Sequence, residues 1–437
     1  MAPLHVIVIG GGPGGLCLAQ GLKKAGVSFA VYERDRTPTS RLQGYRVRIS
    51  PSGSKALHEC LPGHLYAAFV ETCGSSSGKM SFLTETMGQL LQLEFPANDP
   101  VKSNKSASRI TLRQILLSGI EDAAHFGKIF THYSFRDDGK IVAEFADGSY
   151  ATGDVLVGAD GGSSRVRSQF LPHAQRVDTG VVGIAGKAIL TDEIPNRIPK
   201  VFLEGAALIS APGGLGMFIA PQIFRGEHSG EHTGKTGFGG NGDGGKPSVG
   251  PLLDNTKSYV MWALSGRRQV LLPGDPAQTL GGEALKRIAQ EATLGWHQDL
   301  QELIARTEPA TVSCLPIRTS LPVGPWPTQR ITLLGDAIHS MTPFRGIGAN
   351  IALRDAAALS KALWAANRGE KDLLASIHDY EAEMIRYGFR AVRESLRTME
   401  RTLDDRTLIR TVHHTTFKMI QALPPVKRWL FRQRGEE

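Results

Sequence analysis

Short apolar runs punctuated by glycine mark much of the chain up to residue 335, and helically spaced apolar positions mark its end. Val6-Ile-Val-Ile9 is an unbroken apolar run of strand length that leads into Gly10-Gly-Gly12-Pro13-Gly14-Gly15. Leu16, Leu18, Ala19 and Leu22 follow at helical spacing as far as Gly26, and Phe29-Ala-Val-Tyr32 reads as a second strand closed by Glu33. Strands with no polar alternate face, joined through a helix, predict a parallel sheet covered on both sides. The same strand–loop–helix pattern recurs at Asp154–Gly158 and Ile331–Gly335. The predicted sheet therefore collects residues 4–9, 29–33, 154–159 and 331–335 from distant parts of the chain.

Between the last two of these strands the pattern changes. Val181–Ile184, Lys187–Leu190, Ala207–Ser210, Met217–Ala220 and Tyr259–Leu264 are short or alternating apolar segments bounded by Gly and Pro, which predict a separate sheet. Residues 79–105 are expected to add strands to it. Arg225–Gly250 is rich in Gly, Ser, Lys and His and too polar to pack, so it reads as a surface insertion. His228 and His232 lie four apart in this glycine-rich tract, where a metal site is not expected. From Leu373 to about Thr411 the chain reads as one heavily charged helix with Tyr380, Met384, Tyr387 and Leu396 as its buried stripe, broken later by Pro424-Pro425.

Three glycine-bearing motifs carry the chemistry. Gly10, Gly12 and Gly15 fit G-x-G-x-x-G, in which the first glycine makes the tight turn, the second lets backbone approach a pyrophosphate, and the third packs helix on strand. Glu33, followed by Arg34, lies about 20 residues on, where a carboxylate accepts hydrogen bonds from an adenosine ribose. NAD and FAD use the same turn. Near the other end, Gly335-Asp336 closes the last strand, and Pro343, Gly346 and Gly348-Ala349-Asn350 lead into an Ala-rich helix. The bare N–H groups and positive dipole end of such a helix suit an anionic or electron-rich group. Between these lies Asp160-Gly161-Gly-Ser-Ser164-Arg165-Val-Arg167, an Asp-Gly at a strand tip followed by a helix start.

In this order the three motifs resemble those of the single-component (group A) FAD monooxygenases, the aromatic hydroxylases typified by p-hydroxybenzoate hydroxylase. The resemblance covers roughly residues 4–400 in motif order. It implies an α/β fold with a discontinuous Rossmann-like FAD-binding domain (1–78, 106–178 and 326–370). It also implies an inserted β-sheet substrate domain (179–325, with strands from 79–105) and a C-terminal helical region (371–437). Non-covalent FAD would be gripped at its pyrophosphate by Gly10, Gly12, Pro13, Gly14 and Gly15, and near its adenosine ribose by Glu33 and Arg34. Asp160 belongs to the same set, and Gly335 and Asp336 would bind the ribityl and pyrophosphate region. Pro343, Gly346, Gly348, Ala349 and Asn350 would face the isoalloxazine, and Arg109 would contact the cofactor from a short helix start. Arg46, sharing a strand face with Arg48, would lie near the pyrophosphate and the incoming NADPH or NADH; the plainer alternative is a solvated strand face. Ser340 stands where many relatives carry proline, and Arg345 stands beside the expected flavin. Such a cation either favours an anionic flavin or substrate, or simply points to solvent or pairs with an acid.

The reaction implied by the resemblance is NAD(P)H- and O2-dependent hydroxylation or epoxidation of an electron-rich small organic substrate through a flavin C4a-hydroperoxide, in secondary metabolism or aromatic catabolism. Such chemistry needs a closed, dry site. Removing a phenolic proton assists hydroxylation, so a basic or polarising group near the substrate is useful. Lys187 is the candidate, because a lysine on an apolar strand is costly unless it faces a cavity or a partner. Tyr259, Met217 and Phe218 are candidate pocket residues, with plain core as their alternative. The W-x-W-x-I-P signature of flavin halogenases is absent. A reductase or a redox-neutral cyclase on the same scaffold stays open.

Composition narrows the partners. The 437 residues, 41% hydrophobic, suffice for a large core in one elaborate or two to three packed domains. A net charge of +8 suits anionic small ligands, and no dense Lys/Arg run interleaved with aromatics points to nucleic acid. Part of the basic excess lies in Val426–Arg434, expected to be a capping helix, with a membrane-surface role as the alternative. Cys17, Cys60, Cys73 and Cys314 are widely spaced and read as reduced thiols of a cytoplasmic protein. No apolar run approaches the ~20 residues of a membrane span. A monomer or a homodimer is expected.

Overall fold

The computed structural model describes residues 3–38, 46–74, 78–95, 101, 103–190, 198–224, 258–273 and 280–431. The tract 225–250, with His228 and His232, lies outside the described residues. The chain begins with β1 (His5–Ile9), α1 (Pro13–Lys24), β2 (Ser28–Tyr32), β3 (Arg46–Ile49), α2 (Pro51–Cys60) and α3 (Gly63–Thr72). β4 (Lys79–Thr84), β5 (Gln89–Glu94) and β6 (Lys105–Ser108) lead to α4 (Arg109–Leu117). β7 (Ala124–His125), β8 (Phe130–Phe135), β9 (Ile141–Phe145), β10 (Tyr150–Gly153) and β11 (Val155–Gly158) follow. After α5 (Arg165–Phe170) come β12 (Arg176–Ile189), α6 (Lys200–Glu204), β13 (Gly205–Ala211), β14 (Leu215–Gln222), β15 (Tyr259–Arg267) and α7 (Arg268–Leu271). The last part holds α8 (Gly282–Ala292), α9 (Gln298–Ala305), β16 (Ser313–Ser320), β17 (Ile331–Leu333) and α10 (Asp336–His339). It ends in α11 (Gly348–Asn367), α12 (Leu373–Thr402), α13 (Thr407–Ala422) and α14 (Pro424–Phe431).

The first sheet has the order β17-β11-β1-β2-β7, with every pair parallel, so the four strands expected from the apolar runs lie side by side. Val6, Ile7 and Val8 are fully buried because β1 is covered on both faces. Burial of each such side chain contributes about 1.5–3 kcal/mol. Helices α1 and α11 pack against each other on this sheet. The antiparallel trio β10-β9-β8 and the pair β3-β6 complete this half of the molecule.

The second sheet has the order β16-β12-β15-β14-β13-β4-β5. Of the segment 79–105, β4 and β5 join it, whereas β6 pairs with β3. Val181–Ile184 and Lys187–Leu190, expected as separate strands, largely fall in the single strand β12, whose register shifts between Asp178 and Val181. Alternation along the strands gives the sheet two different faces. Val182, Ile184, Met217, Trp262 and Leu264 pack with Leu285, Leu300 and Leu303 of α8 and α9. Met217 is therefore plain core, the second of the two readings its pattern allows. The opposite face carries Ala185, Lys187, Met261, Tyr259 and Phe218, as the pairings Lys187↔Met261 and Phe218↔Ala263 require.

The late helices also differ from expectation. The single predicted helix is two, since α12 stops at Thr402 and α13 starts at Thr407. Tyr380, Met384 and Tyr387 do form the buried stripe of α12. Pro424 opens α14 rather than merely ending a helix, because a first-turn proline lacks only an N–H that has no helical partner there. All four cysteines are free thiols. Among the described residues no helix is long and apolar enough to cross a membrane.

Candidate cofactor and substrate site

The carboxyl ends of β1, β11 and β17 lie in adjacent register, Ile9 beside Gly158 and Gly158 beside Leu333, so the three motif loops leave one edge of one sheet. That edge is where open parallel sheets hold their ligands. Gly10 has φ +114°, and a Cβ there would lie 2.3 Å from the Ala159 carbonyl oxygen. A Cβ on Gly15 would lie 2.1 Å from the Gly10 carbonyl oxygen. Neither position can carry a side chain. Gly12 instead faces open space, with nothing within 4 Å of its Cβ position. Pro13 occupies the first turn of α1. The early and late loops touch: Cβ atoms on Gly14 and Gly335 would lie 3.3 and 2.9 Å from the same atom, the Ala352 Cβ of α11.

Glu33 is buried; its Oε2 accepts the Gly11 N–H at 2.7 Å and its Oε1 accepts the Asp35 N–H at 2.9 Å. Arg113 of α4 lies 3.8 Å from Glu33 and 3.5 Å from Asp35. Arg113 thus steadies the carboxylate turn, while Arg34 and Arg109 project as exposed side chains. Asp160 Oδ2 accepts the Arg165 N–H at 2.8 Å at the start of α5, and burial raises its pKa against that pull. Arg167 is buried and donates to the carbonyls of Gly162 (3.1 Å) and Ala337 (2.9 Å), tying the Asp-Gly loop to the residue after Asp336.

Asp336 is exposed at the start of α10. Behind it lies a buried polar cluster. His339 Nε2 is 2.6 Å from Asp355 Oδ2, which also accepts the Gly335 N–H at 2.7 Å. Tyr387 of α12 donates to Asp355 Oδ1 at 2.5 Å. The Pro343–Arg345 turn and Gly346, in the left-handed region at φ +62°, are held against α12, where Thr342 donates to the Ser395 carbonyl at 2.9 Å. Asn350 uses its side chain away from the open side, accepting the Ser50 N–H and donating to the Arg48 carbonyl. Arg345 forms an ion pair with Glu394 of α12, as the acid-partner reading of this cation expects.

Arg46 Nε donates to Ser106 Oγ at 2.7 Å, and Ser106 Oγ donates to Gln222 Oε1 at 2.5 Å. Gln222 pairs in register with Tyr259, and Lys187 Nζ lies 5.0 Å from the centre of the Tyr259 ring. Arg46 is thus linked, through Ser106 and Gln222, to the strand position paired with Tyr259, over whose ring Lys187 lies. Burial pushes Arg46 down to about 10, so it remains a cation at neutral pH, and burial together with the charge of Arg345 lowers Arg48. Arg46 and Arg48 are thus partly buried and hydrogen-bonded, through Ser106 and Asn104, rather than a solvated strand face. A cavity of about 290 Å3 opens between β12, β16 and α12, lined by Val181, Thr319, Leu396, Met399 and Leu403 among others. Phe344 packs on Val181, Ile317, Met399 and Leu403, so the turn after Pro343 shares walls with that cavity.

A narrow glycine turn with open space above Gly12, a second glycine loop in contact with it and an exposed Asp336 fit a long dinucleotide lying across the sheet edge. A family model described as FAD binding domain matches residues 134–395, and one described as NAD(P)-binding Rossmann-like domain matches residues 8–69. A putative FAD-containing monooxygenase from Photorhabdus luminescens subsp. laumondii superposes with a TM-score of 0.78 at 33% identity, covering 92% of this chain and 98% of that one. The chain belongs to the FAD-dependent monooxygenase family. Among curated relatives, the dual O-methyltransferase/FAD-dependent monooxygenase elcB of Phaeosphaeria nodorum is 31% identical over 401 residues, 86% of this chain and 42% of that protein. The chain thus spans less than half the length of that relative. The FAD-dependent urate hydroxylase of Klebsiella pneumoniae is 27% identical over 388 residues, 87% of this chain and 85% of that protein.

In this FAD-dependent family member, FAD is the cofactor that the matched domain binds. The fold brings Gly10–Gly15, Glu33, Asp160, Gly335 and Asp336 to one sheet edge, and Pro343–Asn350 beside Arg48. Lys187 lies apart from these loops, on the second sheet with Tyr259. The reading of the sequence passed over the supports of the site: Arg113, Asp355 and the pairing of Tyr387 with it. Arg167 was visible as a motif residue but not as a tie. The distances in sequence explain the omission, since Arg167 reaches a carbonyl 170 residues away.

Proposed function

We propose that this protein is an NAD(P)H- and O2-dependent monooxygenase that hydroxylates or epoxidises a small, electron-rich organic molecule. One observation carries the reading. Lys187 lies over Tyr259, to whose strand position Arg46 is linked through Ser106 and Gln222, and Phe344 of the late turn packs against the cluster that holds Val181 on that same face of the second sheet. When bound, FAD would supply electron transfer and oxygen activation, which no side chain provides.

The remaining work falls to the chain itself. Gly10–Gly15 and the N-terminal end of α1 would hold the pyrophosphate, Glu33 the ribose, and Asp336 the ribityl hydroxyls. Arg46 and Arg48 would draw in the anionic nicotinamide dinucleotide, since a cleft lined by one sign of charge raises the local concentration of the opposite one. The apolar cavity beside Phe344 would exclude water. Lys187, as the neutral amine, would accept the proton leaving a phenolic or enolic oxygen. The relative named as a urate hydroxylase supports a hydroxylation of a small ring compound.

The test is a panel of phenols, enols and heterocycles added to the FAD-loaded protein with NADPH or NADH under labelled O2. The expected result is substrate-dependent NAD(P)H consumption with one labelled oxygen in the product. A stoichiometrically yellow protein that neither consumes NAD(P)H nor incorporates label with any member of the panel overturns the reading.

A further inference from the structure

Helix α13 carries an apolar edge that is left exposed among the described residues. Leu408, Val412, Met419 and Leu423 are 76%, 55%, 60% and 52% exposed. Their spacing of four, seven and four places them on one edge of the helix. The packed side lies half a turn away. There Phe417 meets Phe82 at 5.1 Å, His414 bonds Ser210 at 3.2 Å, and Gln421 accepts the Gln92 N–H at 3.0 Å. No residue of the sixteen in α13 is buried, so a single sheet contact leaves an amphipathic helix with its apolar edge in water. Val426, on α14, is 40% exposed and extends the apolar surface.

Charge selects the occupant. From Arg406 to Gly435 the sequence holds Arg406, Arg410, Lys418, Lys427, Arg428, Arg432 and Arg434, and not one Asp or Glu. The acids nearest before the helix in sequence are Asp404, engaged by Arg406 at 2.6 Å, and Asp405, while Glu85 acts on His414 of the packed side. Two copies meeting edge to edge would bring cation against cation with no acid to pair them. A basic helix with an apolar edge fits instead a surface that is both apolar beneath and negatively charged above. Among the described residues no helix is both long and apolar enough to cross a bilayer, and an amphipathic helix such as α13 fits the plane of its surface instead.

We propose that α13 and the start of α14 form a lipid-binding surface that rests in the headgroup region of an anionic bilayer, with Leu408, Val412, Met419 and Leu423 entering it. The inference is independent of the reaction assigned above. Its test is co-sedimentation of the full-length, FAD-loaded protein with phosphatidylcholine vesicles containing or lacking phosphatidylserine. The expected result is binding to the phosphatidylserine vesicles, weaker binding to neutral ones, and loss as salt is raised. The combined variant L408S/M419E/L423E should bind at least about tenfold less while keeping its FAD content and thermal midpoint. K418E, a single exposed change, should weaken binding to the charged vesicles alone and serves if the triple variant does not fold. The proposal is overturned if the wild-type protein stays in the supernatant with the phosphatidylserine vesicles, or if the folded variants sediment like it. A wild-type dimer in light scattering that L408S/M419E/L423E splits, without vesicle binding, would assign the edge to a second copy and overturn it equally.

Discussion

Asn350 accepts the Ser50 N–H at 2.8 Å, and through the same amide it donates to the Arg48 carbonyl at 2.9 Å. The helix that opens at the late glycine loop is thereby bolted to the strand that carries Arg46 and Arg48. A Cβ on Gly53 would lie 2.2 Å from Asn350 Oδ1, so α2 closes over the bond.

Replacing Asn350 by alanine strands the buried Ser50 N–H, at a cost of about 1–3 kcal/mol, and frees the part-buried Arg48 carbonyl. N350A should therefore melt several degrees lower and bind FAD roughly tenfold more weakly, as read by thermal scans and quenching of flavin fluorescence. Asp at this position keeps the acceptor and loses the donor, so N350D should fall between. An N350A protein with the wild-type melt and FAD affinity would remove the brace from the account.

What the sequence disclosed, and what it hid, follows from the range of the forces involved. Fully buried parallel strands must be continuously apolar, and Gly10 and Gly15 are dictated by backbone atoms nearby, so both left a local signature. The face a strand residue occupies depends on a register that no local pattern fixes, which is why Met217 and its neighbour Phe218 were not told apart. Leu403-Asp-Asp-Arg406 separates α12 from α13 without Gly or Pro, so the helical period read straight across it. Asn350 and Ser50 are 300 residues apart, and only the folded chain introduces them.

The buried His339–Asp355 pair predicts a pH dependence. Burial opposes charge on His339, but the Asp355 carboxylate at 2.6 Å outweighs it, and the imidazole pKa is raised above 6.5. A group whose folded-state pKa is raised stabilises fully below its unfolded value and loses that contribution as pH rises through the folded one. The gap in thermal midpoint between the wild type and H339Q should therefore be widest below about pH 6.5 and shrink at alkaline pH. A gap constant from acid to alkaline pH would be evidence against a charged His339. Tyr387→Phe, which deletes a bond to the same carboxylate, should cost about 1.5–3 kcal/mol.

Asp336 lies at the same loop but bears no comparable structural duty, since its side chain is exposed and no hydrogen bond of its carboxylate is found among the described residues. D336A should therefore leave the melt of the apoprotein within about 0.5 kcal/mol of wild type. Its FAD affinity should drop about 10- to 100-fold, the worth of a hydrogen bond to a charged group. The ratio of flavin to protein absorbance after gel filtration reads this directly. A fully yellow D336A protein would exclude the carboxylate from the cofactor site.

Lys187 separates the chemistry of the site from its architecture. Its Nζ stands over the Tyr259 ring on the face that Phe344 and the late glycine turn adjoin, while the loops at the sheet edge are built without it. K187M should thus retain FAD and the wild-type melt but lose product formation by about 10²–10⁴-fold, the range of a positioned proton-transfer group. K187R keeps the charge without a readily lost proton, so it should recover substrate affinity and little of kcat. If K187M loses only stability and its turnover per bound flavin is unchanged, then Lys187 merely packs on Tyr259, and the proton acceptor must be sought elsewhere on the open face.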